Sequence, residues 1–296
     1  MKIVITGATG FIGSKLLTSL LSSGHDVIAL GRSSGQDFGN FQFKYLKYII
    51  GDKLPEELIS FAPEVLIHLA WEGIPDFSLE MCLKNVNDQA RFIDEIGKLD
   101  SIKKVIATGT CMEYGNKTGM CSVSERNIPH SYFSWAKQTI SDLFKIACVA
   151  SSTKLVWFRV FYVYGPGQRS ASLISTLINK FSKGDRPILN NPFVSNDYIY
   201  INDVIDAFLL AINDPNAEGI FNIGSGSMTP AYRISGIVEK LITGQNAVSK
   251  GFELGMQSTP DPGFYAEIHS AESELGWIPK WNLNDGIAET YNSVSA

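Results

Sequence analysis

The chain has 296 residues, of which 45% are hydrophobic and 19% are charged, a balance typical of a globular protein with a full core. The formal net charge is -5 and there is no long basic run, so nucleic acid is excluded as the main partner, because phosphate-backbone binding needs clustered Lys and Arg. No stretch approaches the ~18 consecutive apolar residues of a membrane span, so no membrane partner is predicted.

Strand and helix patterns alternate along the first two-thirds of the chain. The opening run "KIVITG" predicts a strand buried on both faces, and the helical spacing of Ile12, Leu16 and Leu20 predicts a helix that stops at Gly24. Further strands are predicted at residues 26–30, 45–50, 65–70, 104–108 and 154–160, and further helices at about 79–97 and from about 131 to 150. This order predicts an α/β fold whose parallel sheet carries helices on both faces.

The last third of the chain is more broken, with most of the prolines and short elements such as "RPIL", "YIYI" and "IFNIG". We interpret it as the source of a smaller domain at the carboxyl end of the sheet, where open α/β sheets bind ligands. The predicted dinucleotide-binding domain comprises residues 1–163 and about 197–223. The predicted substrate-binding domain comprises about 164–196 and 224–296.

The four cysteines are Cys82, Cys111, Cys121 and Cys148, and they form neither a CxxC pair nor a regular framework. Free thiols in a reducing compartment are therefore predicted, together with a cytoplasmic location and no metal site. The amino-terminal sequence "MKIVITGATG" lacks the pattern of a signal peptide, which agrees with that expectation.

A glycine-rich segment, "TGATGFIG", places Gly7, Gly10 and Gly13 between the first predicted strand and helix. A tight turn, close approach to a pyrophosphate and close helix–strand packing each require a residue without a Cβ atom. The unpaired N–H groups at the start of the helix attract phosphate. The segment therefore predicts a dinucleotide site, although a glycine-rich turn without a ligand remains the alternative.

The GxxGxxG spacing resembles that of the extended short-chain dehydrogenase/reductases, which include nucleotide-sugar epimerases, dehydratases and 4-keto reductases. The resemblance continues through "VLIHLAWEG", "KNV" with Asn85, "TGTCMEYG", "FRVFYVYGPGQ", "DYIYINDVIDAF", "FNIGSG" and "LGWIPKWNLNDGI". It implies a Rossmann-type doubly wound parallel sheet with a smaller C-terminal substrate-binding domain. It implies coenzyme contacts at Gly7, Thr9, Gly10, Phe11, Ile12, Gly13, Asp52, Leu69, Ala70 and Lys137. Of these, Asp52 matches the position that touches the adenine ring, and its alternative is a strand-end turn.

The end of the second predicted strand bears on the choice of coenzyme. A carboxylate there would bind the ribose diol of NAD, but "ALGRSS" has Arg32 and Ser33 instead. A guanidinium pairs well with a 2′-phosphate, so NADP(H) is predicted as the preferred coenzyme, with NAD(H) also possible. The alternative is a solvated surface arginine.

In the resembled family a helix carries Tyr-x-x-x-Lys and a nearby loop carries a Ser or Thr hydroxyl. Lys137 matches the lysine, which binds the ribose and lowers the pKa of the tyrosine, and Thr110 matches the hydroxyl. The residue four positions before Lys137 is Phe133, and Tyr132 is five positions before it. A helix turns about 100° per residue, so Phe133 shares the lysine face and Tyr132 points elsewhere. The ring in the catalytic position therefore has no proton to donate.

Three interpretations of Phe133 remain open, in this order. The chain is a deliberate Tyr→Phe version that traps substrate, or it departs naturally and uses Tyr132 or a water held by Thr110. In the third, it is a binding protein that lost the chemistry. The other motif residues around position 133 match the family pattern, which argues against a protein that lost its catalytic function long ago.

The family's dehydratases place an Asp–Glu pair after the Thr, whereas this chain has Cys111 and Met112, so 4,6-dehydration is not expected. Redox chemistry or epimerisation at a ring carbon remains. Glu113 and Tyr114 follow in a position that faces either the sugar or the interior. Substrate contacts are predicted at Trp71, Glu72, Cys111, Met112, Glu113, Tyr162, Arg169 and Asn196.

Two arginines that usually clamp the substrate diphosphate are absent, since Asn196 and Thr259 occupy their positions. Tyr162 occupies a position where relatives often have a pocket asparagine. Either Arg169 and Arg186 replace the missing cations, or the substrate is not a standard nucleotide sugar.

The sequence thus predicts an NADP(H)-dependent oxidoreductase acting on a nucleotide-linked sugar, most concretely a reductase of 4-keto-6-deoxyhexoses. The alternatives are a nucleotide-sugar 4-epimerase, which retains its coenzyme, and a non-catalytic NADP-sensing regulatory protein. The resemblance also implies a homodimer formed through the long helices that follow the fourth and fifth strands.

Overall fold

The computed structural model describes residues 1–32, 43–245 and 263–295. Its strands in chain order are β1 (Lys2–Thr6), β2 (Asp26–Gly31), β3 (Lys44–Lys47), β4 (Val65–His68), β5 (Lys104–Thr108), β6 (Gly119–Cys121), β7 (Lys154–Val160), β8 (Tyr162–Tyr164), β9 (Ser195–Asn196), β10 (Tyr198–Tyr200), β11 (Gly219–Ile223), β12 (Thr229–Pro230) and β13 (Phe264–Ala266). Its helices are α1 (Phe11–Ser22), α2 (Glu56–Phe61), α3 (Leu79–Ile96), α4 (Tyr132–Ser151), α5 (Leu173–Ser182), α6 (Ile201–Asn213), α7 (Ala231–Thr243), α8 (His269–Leu275) and α9 (Leu283–Ser295), with a short 3₁₀ helix at Cys111–Tyr114.

Seven parallel strands form the central sheet in the order β11–β7–β5–β4–β1–β2–β3. The predicted Rossmann-type parallel sheet is therefore confirmed. The chain runs outward from β1 to β3 and then returns to the other side of β1 with β4. The carboxyl ends of these parallel strands lie at one edge of the sheet. There the chain leaves β1 toward β2 and leaves β4 toward β5, in opposite directions, so the two loops diverge and leave a crevice for a ligand.

Alternating residues of the strands belong to two separate hydrophobic cores, one on each face of the sheet, as expected for a sheet covered on both faces. On one face, Ile3 and Ile5 of β1 are buried in a cluster with Leu16 and Leu20 of α1 and with apolar residues of α6. On the other face, Val4 belongs to a second cluster with residues of α2, α3 and α4. Removing these apolar surfaces from water on both sides holds β1, and the loop that follows it, in a fixed position.

Smaller sheets lie outside the central one. Strands β12, β9, β13 and β6 form a four-stranded sheet, and β10 pairs with β8. The predicted "YIYI" strand is present as β10, and the "IFNIG" run is β11, which pairs with β7 at the edge of the central sheet. The residue boundaries of the two predicted domains stay a prediction.

Several local features differ from what the sequence predicts. The "RPIL" segment at 186–189 is not a strand: Pro187 has no N–H to donate and Ile188 is 89% exposed. Strand β3 ends at Lys47, earlier than the predicted residue 50. Helix α2, which begins after Pro55 and carries Glu56 and Glu57 in its first turn, was not predicted, because six residues are too few for a clear helical period.

Candidate active site

The glycine loop after β1 has the backbone geometry that the sequence predicts. Gly7 has a φ of +71°, which favours glycine, and a Cβ at Gly13 would collide with the carbonyl oxygen of Gly7. Gly10 caps α1 without any side-chain hydrogen bond, and no acidic residue lies in the first turn. By contrast, α3 has both Ser78 as a side-chain cap and Glu80 in its first turn. The N–H groups of α1 are thus left for an anionic ligand, as a dinucleotide diphosphate would require.

A cavity of about 570 Å³, called the cleft below, opens at this helix terminus. Its volume lies within the range of small-molecule and cofactor sites. The predicted site residues that line the cleft are Gly7, Thr9, Gly10, Phe11, Ile12, Gly13, Arg32, Leu69, Ala70, Trp71, Glu72 and Arg169. Trp71, Glu72 and Arg169, which were predicted to contact substrate, thus share one cavity with the predicted coenzyme residues.

Three predicted coenzyme residues are not part of this set, namely Ser33, Asp52 and Lys137. Ser33 lies outside the described residues. Asp52 does not line the cleft but lies in a separate surface depression with Arg91 and Glu95. Its N–H donates to the carbonyl of Ile49 at 3.1 Å, so it belongs to the turn that follows β3. Tyr48, before that turn, lines the cleft instead, and its hydroxyl donates to the carbonyl of Asp52 at 2.8 Å.

A buried hydrogen-bond chain holds β1 and β4 together at the floor of the cleft. The Thr6 hydroxyl lies 2.9 Å from Nδ1 of His68, and Nε2 of His68 lies 3.0 Å from the amide oxygen of Gln89. Burial lowers the pKa of His68 to about 4, so the ring is neutral at physiological pH. The Thr6 oxygen also accepts from the N–H groups of Leu69 and Ala70. These hydrogen bonds hold the loop that follows β4 in position, and the neutral His68 is not a proton donor for the substrate.

Phe133 and Lys137 lie on one face of α4 and flank the same indole ring. The Phe133 ring meets Trp71 edge-on with centroids 5.0 Å apart, and Nζ of Lys137 lies 4.7 Å from the Trp71 ring centroid. Phe77 also packs against Phe133, with ring centroids 4.5 Å apart. The predicted shared face is therefore present in the structure.

The ammonium group of Lys137 is buried and reaches the cleft through a backbone contact. Its Nζ donates to the carbonyl of Thr108 at 2.9 Å, and Thr108 lines the cleft. Burial lowers the pKa of Lys137 to about 8, while the negative charge of Glu113 opposes the shift. The site thus holds an ammonium group that is mostly protonated at neutral pH but loses its proton at a lower pH than an exposed lysine does.

This lowered pKa predicts a pH-dependent stability. Between pH 8 and the ordinary value of 10.5, the folded chain has lost the proton that the unfolded chain still binds. Relative to a Lys137→Met variant, the free energy of unfolding should therefore rise across that window by about 1.4 kcal/mol per pH unit, and not change below it. Urea unfolding of both proteins from pH 7 to 10.5 measures the difference. Parallel pH profiles would contradict the assigned burial.

Tyr132 is the first residue of α4, directly after Ser131, whose hydroxyl accepts from the N–H of Ser134 at 3.1 Å. This cap fixes where the helix begins. The Tyr132 side chain is 54% exposed, whereas Phe133 is partly buried between two rings. Tyr132 thus projects away from the Lys137 face.

Thr110 begins the 3₁₀ helix that carries the residues predicted to face the sugar. Its hydroxyl oxygen accepts from the N–H of Met112 at 3.3 Å, so one lone pair is used by the cap and the O–H remains a donor. Cys111 is buried, and burial raises the pKa of its thiol. Met112 is partly exposed and accepts a weak contact from the hydroxyl of Tyr162 at 3.8 Å.

Glu113 differs from the prediction of a substrate contact. It is 1% exposed, and its Oε2 pairs with Nε of Arg159 at 3.0 Å. Its Oε1 accepts from the backbone N–H of Thr110 at 2.9 Å and from the indole of Trp157 at 3.3 Å. Tyr114 is also internal, with its hydroxyl accepting from Arg159 at 3.0 Å. Both carboxylate oxygens of Glu113 therefore bind groups inside the protein. Through its bond to the N–H of Thr110, Glu113 stabilises the loop that carries Thr110.

The remaining predicted substrate residues belong to the aromatic region beside the 3₁₀ helix and to the four-stranded sheet. The Tyr162 ring contacts Tyr198 and Phe264, with centroids 5.9 and 6.2 Å apart. Asn196 lies in β9, next to Asp197, whose buried carboxylate accepts from the N–H groups of Ser225, Gly226 and Ala266. Neither Tyr162 nor Asn196 lines the cleft, so their contact with substrate stays a prediction.

Several residues that line the cleft were not predicted as site residues, namely Leu30, Gly31, Tyr48, Ile50, Ile74, Asn85, Asp88, Gln89, Thr108, Gln168 and Ser172. Only two carried a usable signal: Asn85 within "KNV", and Gln168 within "YGPGQ". The amide nitrogen of Gln168 donates to the carbonyl of Val163 at 2.7 Å, while its buried oxygen has no partner in the described part of the chain.

Within residues 1–32, 43–245 and 263–295, no group of His, Cys, Asp and Glu side chains is arranged to bind a metal ion. In the same ranges, no helix combines the length and apolar character needed to cross a bilayer.

The fold and the cleft define a class of protein, the dinucleotide-binding α/β enzymes with a Rossmann-type parallel sheet. The chain belongs to the NAD dependent epimerase/dehydratase family, whose family model matches residues 3–224. It is therefore an NAD(P)-dependent enzyme of the extended short-chain dehydrogenase/reductase type, and the resemblance found in the sequence is confirmed.

Two curated relatives cover nearly the whole chain. A dTDP-4-dehydro-6-deoxyglucose reductase of Escherichia coli is 26% identical over 99% of this chain and 97% of its own length. A UDP-glucose 4-epimerase of Mycolicibacterium smegmatis is 26% identical over 98% of this chain and 97% of its own length. Among solved structures, MoeE5 in complex with UDP-glucose and NAD superposes with a TM-score of 0.84 at 22% identity, covering 100% of this chain and 99% of that one. This likeness establishes the fold.

Proposed function

We propose that the chain is built to reduce the 4-keto group of a nucleotide-linked 6-deoxyhexose with NAD(P)H. The observation that carries the proposal is the buried ammonium of Lys137, held 2.9 Å from the carbonyl of Thr108 at the edge of the cleft. A fixed cation beside a dinucleotide cleft is suited to binding a ribose hydroxyl and to stabilising charge on a reacting oxygen. The Escherichia coli relative with a 4-keto reductase name supports the choice of reaction.

Dehydration is the least favoured of the family's reactions. It needs one group to remove a proton and another to protonate a leaving hydroxyl. In this chain the two relevant positions are Cys111, a buried thiol with a raised pKa, and Met112, which has no proton to transfer. Neither side chain is suited to acid–base work on a sugar.

Thr110 and Lys137 have roles in the proposed reduction. The coenzyme, when bound, would supply the hydride for C4 of the sugar, and the carbonyl oxygen must receive a proton so that C=O becomes CH–OH. Thr110 retains its O–H as a donor that orients this oxygen, and Lys137 provides the positive charge. Phe133 has no hydroxyl and cannot donate this proton. We therefore propose that the chain is a Tyr→Phe form of a reductase whose natural residue at position 133 is tyrosine. Tyr132, exposed at the first turn, is the less favoured donor.

The preference for NADP(H) is also a proposal. It rests on Arg32, whose guanidinium lines the cleft directly after β2 and is 63% exposed, within reach of solvent and of a ligand. A 2′-phosphate offers such a side chain a charge-assisted, bidentate partner. NAD(H) remains compatible with the site.

A 4-epimerase is the second candidate. Its support is the similarity, over 98% of this chain, to a relative named UDP-glucose 4-epimerase. Such an enzyme would retain its coenzyme after purification and would consume none in turnover.

The test combines binding and turnover. The purified chain is titrated with NADH and NADPH. It is then incubated with NAD(P)H and dTDP-4-keto-6-deoxyglucose, and separately with UDP-glucose in the absence of added coenzyme. We expect coenzyme binding, and any turnover should oxidise NAD(P)H and add two hydrogens to the keto sugar. Interconversion of UDP-glucose and its C4 epimer without added coenzyme would favour the epimerase. Binding of neither coenzyme would refute the proposal.

A homodimer and a cytoplasmic location are further proposals. The dimer would form through α3 and α4. Solvent-exposed apolar residues on these helices, Leu83, Ile146 and Val149, support such an interface.

A further inference from the structure

Two ion pairs meet at Glu72, at the end of the cleft that Arg32 lines. One carboxylate oxygen, Oε1, lies 3.3 Å from Nη1 of Arg32, and the other, Oε2, lies 2.7 Å from Nζ of Lys84. Arg32 follows β2 and Glu72 follows β4, so this contact links the loops on either side of the glycine loop. Both residues line the cleft, and the Glu72 side chain is 33% exposed.

The position of Glu72 is determined by its backbone and by α3. Its N–H donates to Oδ1 of Asn85 at 2.9 Å, and Nδ2 of Asn85 donates back to its carbonyl at 3.0 Å. Asn85 is itself buried. Lys84 is in turn held by Asp88, with Nζ and Oδ2 2.8 Å apart. The negative charge of Glu72 is therefore a preset feature of the cleft.

We infer that Glu72 determines how strongly the chain discriminates between NADP(H) and NAD(H). Its carboxylate holds the guanidinium that would bind a 2′-phosphate, and its charge remains beside that phosphate when Arg32 is drawn away. The exposed Arg32 pair is weak enough for a ligand to break. The cost to the phosphorylated coenzyme is therefore chiefly repulsion, while NAD(H), which has no 2′-phosphate, is hardly affected. The inference rests on the proposed coenzyme binding.

Direct binding measurements test this without requiring turnover. Dissociation constants of NADH and NADPH are measured by titrating coenzyme fluorescence with the purified full chain at low, fixed ionic strength. Glu72→Gln, which keeps the shape and removes the charge, should raise the preference for NADPH over NADH about tenfold. Arg32→Ala should lower that preference. In the Arg32→Ala background Glu72→Gln should still raise that preference, because repulsion between the Glu72 carboxylate and the 2′-phosphate does not require the guanidinium.

The matched control is Glu80→Gln, which removes an exposed acidic residue from the first turn of α3, outside the cleft. Its preference should equal that of the parent chain. An unchanged preference in Glu72→Gln, or an equal loss of affinity for both coenzymes, would overturn the inference and leave the proposed function intact. If the parent chain and all variants bind neither coenzyme, the proposed function itself fails.

Discussion

Phe133→Tyr is expected to raise the rate of NAD(P)H-dependent reduction by about 10²- to 10⁴-fold, the usual contribution of a positioned proton donor. The new hydroxyl would lie on the Lys137 face of α4, where the Lys137 charge favours the ionised phenol and so lowers the pKa of the tyrosine. The measurement is the loss of NAD(P)H absorbance with dTDP-4-keto-6-deoxyglucose, at several coenzyme concentrations. Coenzyme affinity should change little, so the gain should appear in kcat.

Tyr132→Phe is the matched control, since it removes a hydroxyl from the neighbouring position of the same helix. It should leave the activity of both the parent and the Phe133→Tyr variant unchanged. If the parent is already fully active and Tyr132→Phe abolishes that activity, Tyr132 is the donor and the assignment of Phe133 is wrong. If Phe133→Tyr binds coenzyme but turns over none of the substrates, the non-catalytic NADP-sensing interpretation gains instead.

Glu113→Gln is expected to destabilise the chain by about 3–5 kcal/mol, the cost of leaving a buried charge without its partner. Arg159 is 4% exposed, so water cannot replace the lost carboxylate. The substitution also weakens the bond to the N–H of Thr110, which should loosen the loop that orients the substrate oxygen. Urea unfolding followed by tryptophan fluorescence measures the loss, because Trp157 lies against Glu113.

Asp142→Asn provides the comparison for this second prediction. Asp142 pairs with Lys145 at 2.9 Å on the exposed surface of α4, so its removal should cost only about 0.5 kcal/mol. A loss below about 1 kcal/mol in Glu113→Gln would contradict the assigned role, because it would mean that Arg159 finds another partner or reaches solvent.

The two buried cations near the site illustrate different solutions to one electrostatic problem. Arg159 keeps its charge, since it has a carboxylate partner at 3.0 Å. Lys137 has the carbonyl of Thr108 and the face of Trp71, which are weaker partners, and its pKa falls to about 8. Arg159 is thus a permanent charge inside the fold, whereas Lys137 can lose its charge within an accessible pH range.

Local patterns in the sequence were sufficient for the elements that build the site. Apolar runs predicted β1, β4 and β5, and the spacing of three glycines predicted the turn into α1, because both depend on residues that are neighbours along the chain. The i, i+4 relation predicted that Phe133, rather than Tyr132, shares a face with Lys137. That relation is a property of any helix, so only the start of α4 had to be right.

The sequence by itself therefore determined the parallel sheet, the dinucleotide loop and the unusual ring at position 133. Only the tertiary structure decided where Glu72, Asp52 and Glu113 lie and which groups they contact. Glu113 meets Arg159 across 46 residues of chain, and Glu72 meets Arg32 across the sheet edge. Such pairs depend on which strands become neighbours and on where each side chain points. The neighbours of each strand and the direction of each side chain cannot be predicted from a periodic pattern in the sequence, because both result from packing the whole sheet between its helices.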